Sequence, residues 1–151
     1  MELAIKKLKK NKAAGNDGIV AEYFIALSST EAGLDLIVQL CNFCWKEEAL
    51  PREWKISKVI MLFKKGDPAC CDNYRPISLL ALGYKILASI LLERLKEAGA
   101  ESKIWKTQFG FKSNAGTIDA LFLTRRLIDD VLATKDAILI FAALDWLKVF
   151  D

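Results

Sequence analysis

Apolar and polar positions change their period several times along this chain, and each change marks an expected element. Leu3, Ile5 and Leu8 recur among lysines and predict a short amphipathic helix. The pattern breaks at KAAGNDGI, residues 12–19, where Gly15 and Gly18 allow backbone conformations that other residues resist. Asp17 is placed to cap a second helix, over about Ile19–Leu27, by accepting orphan amide protons. A longer helix is expected from about Gly33 to Glu48, with Leu36, Leu40, Phe43 and Cys44 at helical spacing, and Pro51 prevents its continuation. In ISKVIMLFKKGD the character changes: Ile56, Val59, Ile60, Leu62 and Phe63 favour a strand, and Gly66-Asp67 a turn. The return through PACCDNYRP reads as irregular. Ser78 is a candidate cap for a helix over about Leu79–Ala98, with Leu82, Ile86, Ile90 and Leu95 inward and Gly99 as its stop. After the loop KTQFGFKSNAG comes a helix over Thr117–Leu132.

The chain then runs apolar from Ala137 to Leu144 and meets a charge at Asp145. That length suits a strand, and the lack of alternation suits burial on both faces of a sheet. No repeat and no linker rich in Pro, Gly or Ser separates these segments, which predicts one compact, helix-rich α+β unit. At 151 residues the chain can build one sizeable core but not two ordinary domains.

Composition narrows the class. An apolar fraction of 53%, with 8 Phe and 4 Trp, excludes a disordered chain. No apolar stretch reaches membrane-spanning length and the N-terminus lacks the apolar core of a secretory signal, so an intracellular protein with no membrane partner is expected. Cys41 and Cys44 have CxxC spacing, but the chain has no His, and the other pair, Cys70 and Cys71, is vicinal. Closing a tetrahedral metal site would need that awkward dipeptide, and Cys41 and Cys44 fall on the apolar side of a helical pattern, so they are read as core. Trp45, Trp54 and Trp105 are assigned to packing.

A net charge of +3 is a weak pointer to nucleic acid. Its distribution adds more. Lys6, Lys7, Lys9, Lys10 and Lys12 crowd the start, and Lys55, Lys58, Lys64, Lys65 and Arg75 cluster in the middle, as phosphate contacts require. A solvated helix face explains the N-terminal run equally well. In the middle cluster, a β-ribbon ends in Lys64 and Lys65 and is followed by Arg75, stiffened by Pro76. Lysine point charges and a bidentate arginine fork together can clamp a polyphosphate, although an ordinary charged turn has the same composition. Asp145 at a strand tip can hold a metal ion or simply cap a following helix.

Taken in order, KAAGNDGI, EEALPREWKISKVIMLFKKGD, NYRPISLL, KILASILLERL, QFGF and ALDWLKVFD make the chain resemble the fingers and early palm of non-LTR (LINE-type) retrotransposon reverse transcriptases, from about Leu8 to Asp151. The resemblance implies a helix-rich fingers subdomain with a short β-ribbon, preceded by an N-terminal extension, over about residues 1–135. The first palm strand of a right-hand polymerase would occupy about residues 136–151. It implies an RNA-directed DNA polymerase with RNA template, DNA primer and deoxynucleoside triphosphates as partners and two Mg2+ ions as cofactor. In that scheme Asp145 is the first catalytic, metal-binding carboxylate, and the Trp146 carbonyl is a supplementary ligand. Phe150 is the gate that excludes a ribose 2′-hydroxyl, and Lys64 or Lys65 joins Arg75 on the triphosphate. Gln108, Phe109 and Gly110 lie near the template, and Gly15, Asn16 and Asp17 touch its backbone.

The pattern has departures. Val149 stands where the family usually has a small Ala, Leu147 replaces an often polar residue, and SNAG after QFGFK lacks a common Arg. The adjacent pair Asp129-Asp130 lies on a helical pattern, where neighbours diverge, and is read as a solvated edge rather than the family's catalytic pair. Because the further palm carboxylates lie outside these residues, the isolated chain is expected not to polymerise DNA. Its final strand, lacking partners, is expected to promote self-association through Ile138–Leu144. Two other readings stay open: a non-catalytic nucleic-acid-binding remnant of a retroelement, and a helical protein–protein module.

Overall fold

Three short helices and the start of a fourth bring small apolar faces together to form the core. The computed structural model describes residues 1–145. Helix α1 spans Glu2–Lys6, α2 Ala21–Leu27 and α3 Glu31–Lys46; a 3-10 turn at Arg52–Lys55 leads to strands β1, Lys58–Phe63, and β2, Tyr74–Leu79. Helix α4 spans Leu82–Glu97 and α5 Thr117–Leu132. The mixture of helices with a two-stranded ribbon agrees with the expected α+β class. Where one compact unit was expected there are two: Met1–Arg94, and a second that begins at Leu95.

In the first unit α1 and α2 fall close to their expected places, but α2 starts at Ala21 and Asp17 does not cap it. Asp17 Oδ1 instead accepts the amide of Ile19 at 3.2 Å, a local turn that competes with helix initiation. Thr30 caps α3 through its Oγ1, which accepts from the Gly33 amide at 3.1 Å. The face of α3 turned inward is Gly33, Ile37, Cys41 and Cys44, spaced four, four and three residues apart. Leu36, Leu40 and Phe43 share the helical period but point outward.

Strands β1 and β2 pair antiparallel, Lys58 opposite Leu79 through Phe63 opposite Tyr74. The last three residues of the expected irregular return, Tyr74, Arg75 and Pro76, therefore begin β2, and Ser78, expected as a helix cap, sits inside that strand opposite Val59. Helix α4 starts at Leu82, once β2 has ended, and buries Leu82, Gly83, Ile86 and Leu87. Trp54 packs its ring directly on Gly83, where any Cβ would clash with it. Of the three tryptophans assigned to packing, only Trp54 is buried; Trp45 and Trp105 are exposed, Trp105 by 80%. Leu95, expected inward, is also exposed, because the inward face of α4 ends before it.

In the second unit Gly99 adopts a left-handed φ of 81° and donates its amide to the Lys96 carbonyl, ending α4 as expected. Helix α5 has the expected bounds. Asp119 Oδ2 accepts the Gly116 amide at 2.8 Å at its start. Asp129 and Asp130 pair with Arg125 and Arg126 one turn earlier, at 3.0 and 3.6 Å, and so form the solvated edge that was expected. The expected strand over Ala137–Leu144 is not formed; residues 137–145 take no regular structure. β-propensity alone cannot hold a strand, since its amides and carbonyls need a ladder partner, and none is present among the described residues. Among those residues no single helix is long and apolar enough to cross a membrane.

Candidate functional site

The β1–β2 ribbon places the basic cluster. Leu62 faces Arg75 across the ladder, and the Lys64 amide donates to the Asn73 carbonyl at 2.8 Å, extending the pairing one residue past β1. Side chains alternate along a strand, so Lys64 lies two positions on from Leu62 on the Arg75 face, together with Lys58, Ile60 and Ile77. Lys65 follows beyond the ladder. Register thus joins Lys64, rather than Lys65, to Arg75. Both lysines and Arg75 are exposed.

Pro76 explains why Arg75 can sit in a strand at all. With Lys64 and Asn73 hydrogen-bonded, the ladder alternates, and the Pro76–Met61 pair falls at a non-hydrogen-bonded position. The proline nitrogen then faces away from β1, and no ladder bond is lost. On the same face as Pro76, Phe63 and Tyr74 pack with ring centroids 5.4 Å apart.

The connecting loop is ordered by its own polar groups. Asp67 Oδ1 accepts the Ala69 amide at 2.9 Å, and the Asp67 carbonyl accepts both Asn73 Nδ2 at 2.9 Å and the Cys70 amide at 3.1 Å. The Tyr74 hydroxyl donates to the Pro68 carbonyl at 3.0 Å. These bonds hold the loop in one shape and so hold Lys64 in line with Arg75. The turn expected at Gly66-Asp67 is thus present, and Asn73 closes it from the far side of the loop.

The N-terminal loop is built differently. Gly15 is buried, and a Cβ there would stand 2.7 Å from Ala81 N and from the Leu80 carbonyl carbon. Its glycine is thus required by close backbone approach. Asn16 is exposed; Asp17 is half-buried, and its Oδ2 is shielded and accepts no hydrogen bond from the described protein. Glu22 Oε1 closes the loop by accepting the Asn11 amide at 2.6 Å. That bond, helped by the Glu22 amide, holds the carboxyl below the usual carboxylate range, and Lys10 adds a smaller push.

Gln108, Phe109, Gly110 and Asp145 belong to the second unit. Gln108 Nε2 donates to the Gly110 carbonyl at 3.3 Å, so the side chain braces its own loop; Phe109 is half-buried and Gly110 exposed. Asp145 is exposed on the irregular segment that ends the described residues, and Trp146 and Phe150 lie outside them. No group of three or more His, Cys, Asp or Glu converges among the described residues. A magnesium ion asks for several hard oxygen ligands in near-octahedral array, of which Asp145 would supply one carboxylate.

The ribbon thus carries a lysine and an arginine on one open face, and the sequence comparison defines the class. Residues 63–151 match the family described as "Reverse transcriptase (RNA-dependent DNA polymerase)", more than half of this chain, and the chain belongs to that family. Within it the similarity is to proteins of non-LTR retrotransposons. The chain is 34% identical over 148 residues to the Transposon TX1 uncharacterized 149 kDa protein of Xenopus laevis, covering 98% of this chain and 11% of that protein. It is 32% identical over 149 residues to the RNA-directed DNA polymerase from mobile element jockey of Drosophila melanogaster, 97% and 16% of the two chains. To the retrovirus-related Pol polyprotein from type-1 retrotransposable element R1 of Bradysia coprophila it is 30% identical over 128 residues, 83% and 12%. The chain thus spans only 11 to 16% of the length of these relatives. Lys64, Arg75, Gln108, Asp145 and Phe150 fall inside the family match; Gly15, Asn16 and Asp17 precede it.

Proposed function

We propose that this chain supplies the fingers and the start of the palm of an RNA-directed DNA polymerase, with the ribbon face of Lys64 and Arg75 as the holder of the incoming deoxynucleoside triphosphate. The observation that carries this reading is the register, which puts both cations on one face of a hydrogen-bonded ribbon. A guanidinium fork donates to two phosphate oxygens and an ammonium to a third, so the pair orients the triphosphate and offsets its charge. In the same reading, which here rests on the family match, Asp145 and the Trp146 carbonyl are assigned to holding the magnesium ions and Phe150 to excluding a ribose 2′-hydroxyl. Gln108, Phe109 and Gly110 border the RNA template, and Asn16 and Asp17 lie along its backbone, on a loop that Gly15 holds in place. Asp145 contributes one carboxylate, so this chain alone is not expected to extend a primer.

Binding of a fluorescent deoxynucleoside triphosphate to the chain, followed by anisotropy, tests the assignment. Lys64→Ala and Arg75→Ala are each expected to weaken binding by roughly tenfold or more, the worth of a charge-assisted hydrogen bond, and Lys65→Ala by much less. Equal loss in all three variants would mean a diffuse charged surface. Salt-sensitive RNA binding with no triphosphate affinity would favour a nucleic-acid-binding remnant instead.

A further inference from the structure

The four thiols form two chemically different pairs. Cys41 and Cys44 are buried in the first unit's core, where burial pushes the Cys41 thiol up and its neighbour Cys44 adds to the effect. Cys70 and Cys71 are both free and both exposed, in the loop joining β1 to β2. Exposure makes a thiol available to electrophiles and soft ions, whereas the core pair is shielded from them.

Adjacency decides what the exposed pair can do. The peptide bond between them is trans, so their Cα atoms stand about 3.8 Å apart. An unstrained disulfide needs roughly 4.4–6.8 Å. Oxidation to an internal disulfide is therefore disfavoured, while two neighbouring sulfurs can close on one larger soft atom. Among the described residues no group of three or more His, Cys, Asp or Glu gathers to complete an all-protein tetrahedral site of the zinc kind.

We propose that Cys70 and Cys71 form a chelating dithiol site for a thiophilic ion that takes two protein sulfurs and keeps its third ligand from outside, trivalent arsenic being the matching class. With a monosubstituted arsine oxide the step balances without oxidant or reductant. Two S–H bonds break, two As–S bonds form, and the arsenic-bound oxygen leaves as water with both protons. The ring so closed contains the Cys70–Cys71 peptide. The Cys70 carbonyl accepts the Asn73 amide at 3.1 Å, and the Asn73 carbonyl in turn accepts the Lys64 amide. The site is thus tied by two backbone hydrogen bonds to Lys64.

Phenylarsine oxide titrated into the whole chain, read by intact mass and thiol counting, tests the site. The expected result is one arsenical per monomer, loss of the two fast-reacting thiols and retention of two slow ones. Cys70→Ser and Cys71→Ser, each with an unchanged far-ultraviolet dichroism spectrum, are expected to bind roughly 100-fold more weakly, since one sulfur loses the gain from linkage. Affinity unchanged in either single variant, an adduct on the Cys41–Cys44 pair, or an arsenical that bridges two chains would each overturn the proposal.

Discussion

Replacing Gly15 by Ala tests whether the N-terminal loop is held by backbone packing. The added methyl would meet Ala81 N and the Leu80 carbonyl carbon at 2.7 Å and the Leu80 oxygen at 2.8 Å. Carbon contacts settle near 3.5–4.0 Å, so the overlap approaches about 1 Å on three atoms at once. All three are backbone, just ahead of α4, and none can swing aside as a side-chain tip would. Gly15 is not among the residues with positive φ, so no conformational penalty confuses the result. Overpacking of this kind costs about 1–3 kcal/mol, and a rigid three-atom clash belongs at the upper end. For a chain of this length that lowers Tm by about 6–12 °C. Gly18→Ala is the matched control: φ is 70° and nothing lies within 4 Å, so only the left-handed backbone cost of about 1–2 kcal/mol applies. Urea and thermal unfolding of both variants, followed by far-ultraviolet dichroism, should rank Gly15→Ala below Gly18→Ala. If Gly15→Ala unfolds within about 0.5 kcal/mol of the parent, as a surface change does, the close approach is wrong. Gly15 would then return to the nucleic-acid surface as a direct contact.

Trp54→Ala should cost about 3–5 kcal/mol as a large-to-small core change, and Gly83→Ala should also destabilise because its methyl displaces the same ring; a Trp54→Ala urea midpoint equal to the parent's would contradict the packing. Glu22 has a depressed carboxyl pKa in the folded chain, so its contribution is present above its ordinary value of 4.5 and fades as pH falls through and below it. The urea midpoint of Glu22→Gln should therefore lie below the parent's at pH 7 and converge on it in acid, once the carboxyl is protonated in the folded chain too; a gap that stays constant with pH would dismiss the Asn11 bond as its source. Ile140 is 89% exposed on the apolar segment that lacks a ladder partner, and Ile140→Lys should lower the sedimentation-average mass of concentrated samples. A parent that is already monomeric at the same concentration would refute self-association through this stretch.

What was legible in the sequence is what depends on near neighbours. Helix α5 could be read to the residue because its period, its Gly116–Asp119 start and its paired charges all act within a turn or two. Strand β2 was not legible because PACCDNYRP reads as irregular and Ser78 as a helix cap; only the register reveals that the missing amide proton of Pro76 faces away from β1. The apolar run at 137–144 erred in the opposite direction, since strand-like composition supplies no partner for its backbone. The phosphate-binding candidates show the same division. Lys64, Lys65 and Arg75 were legible as a charged ribbon, yet the choice between the lysines waited on a pairing between residues nine or more positions apart. Gly15 was the least legible, because the reason for a glycine there is the backbone of Leu80 and Ala81, more than sixty residues away. Local chemistry thus names the candidate phosphate ligands, whereas long-range pairing decides which of them share a face and which glycine is there for packing.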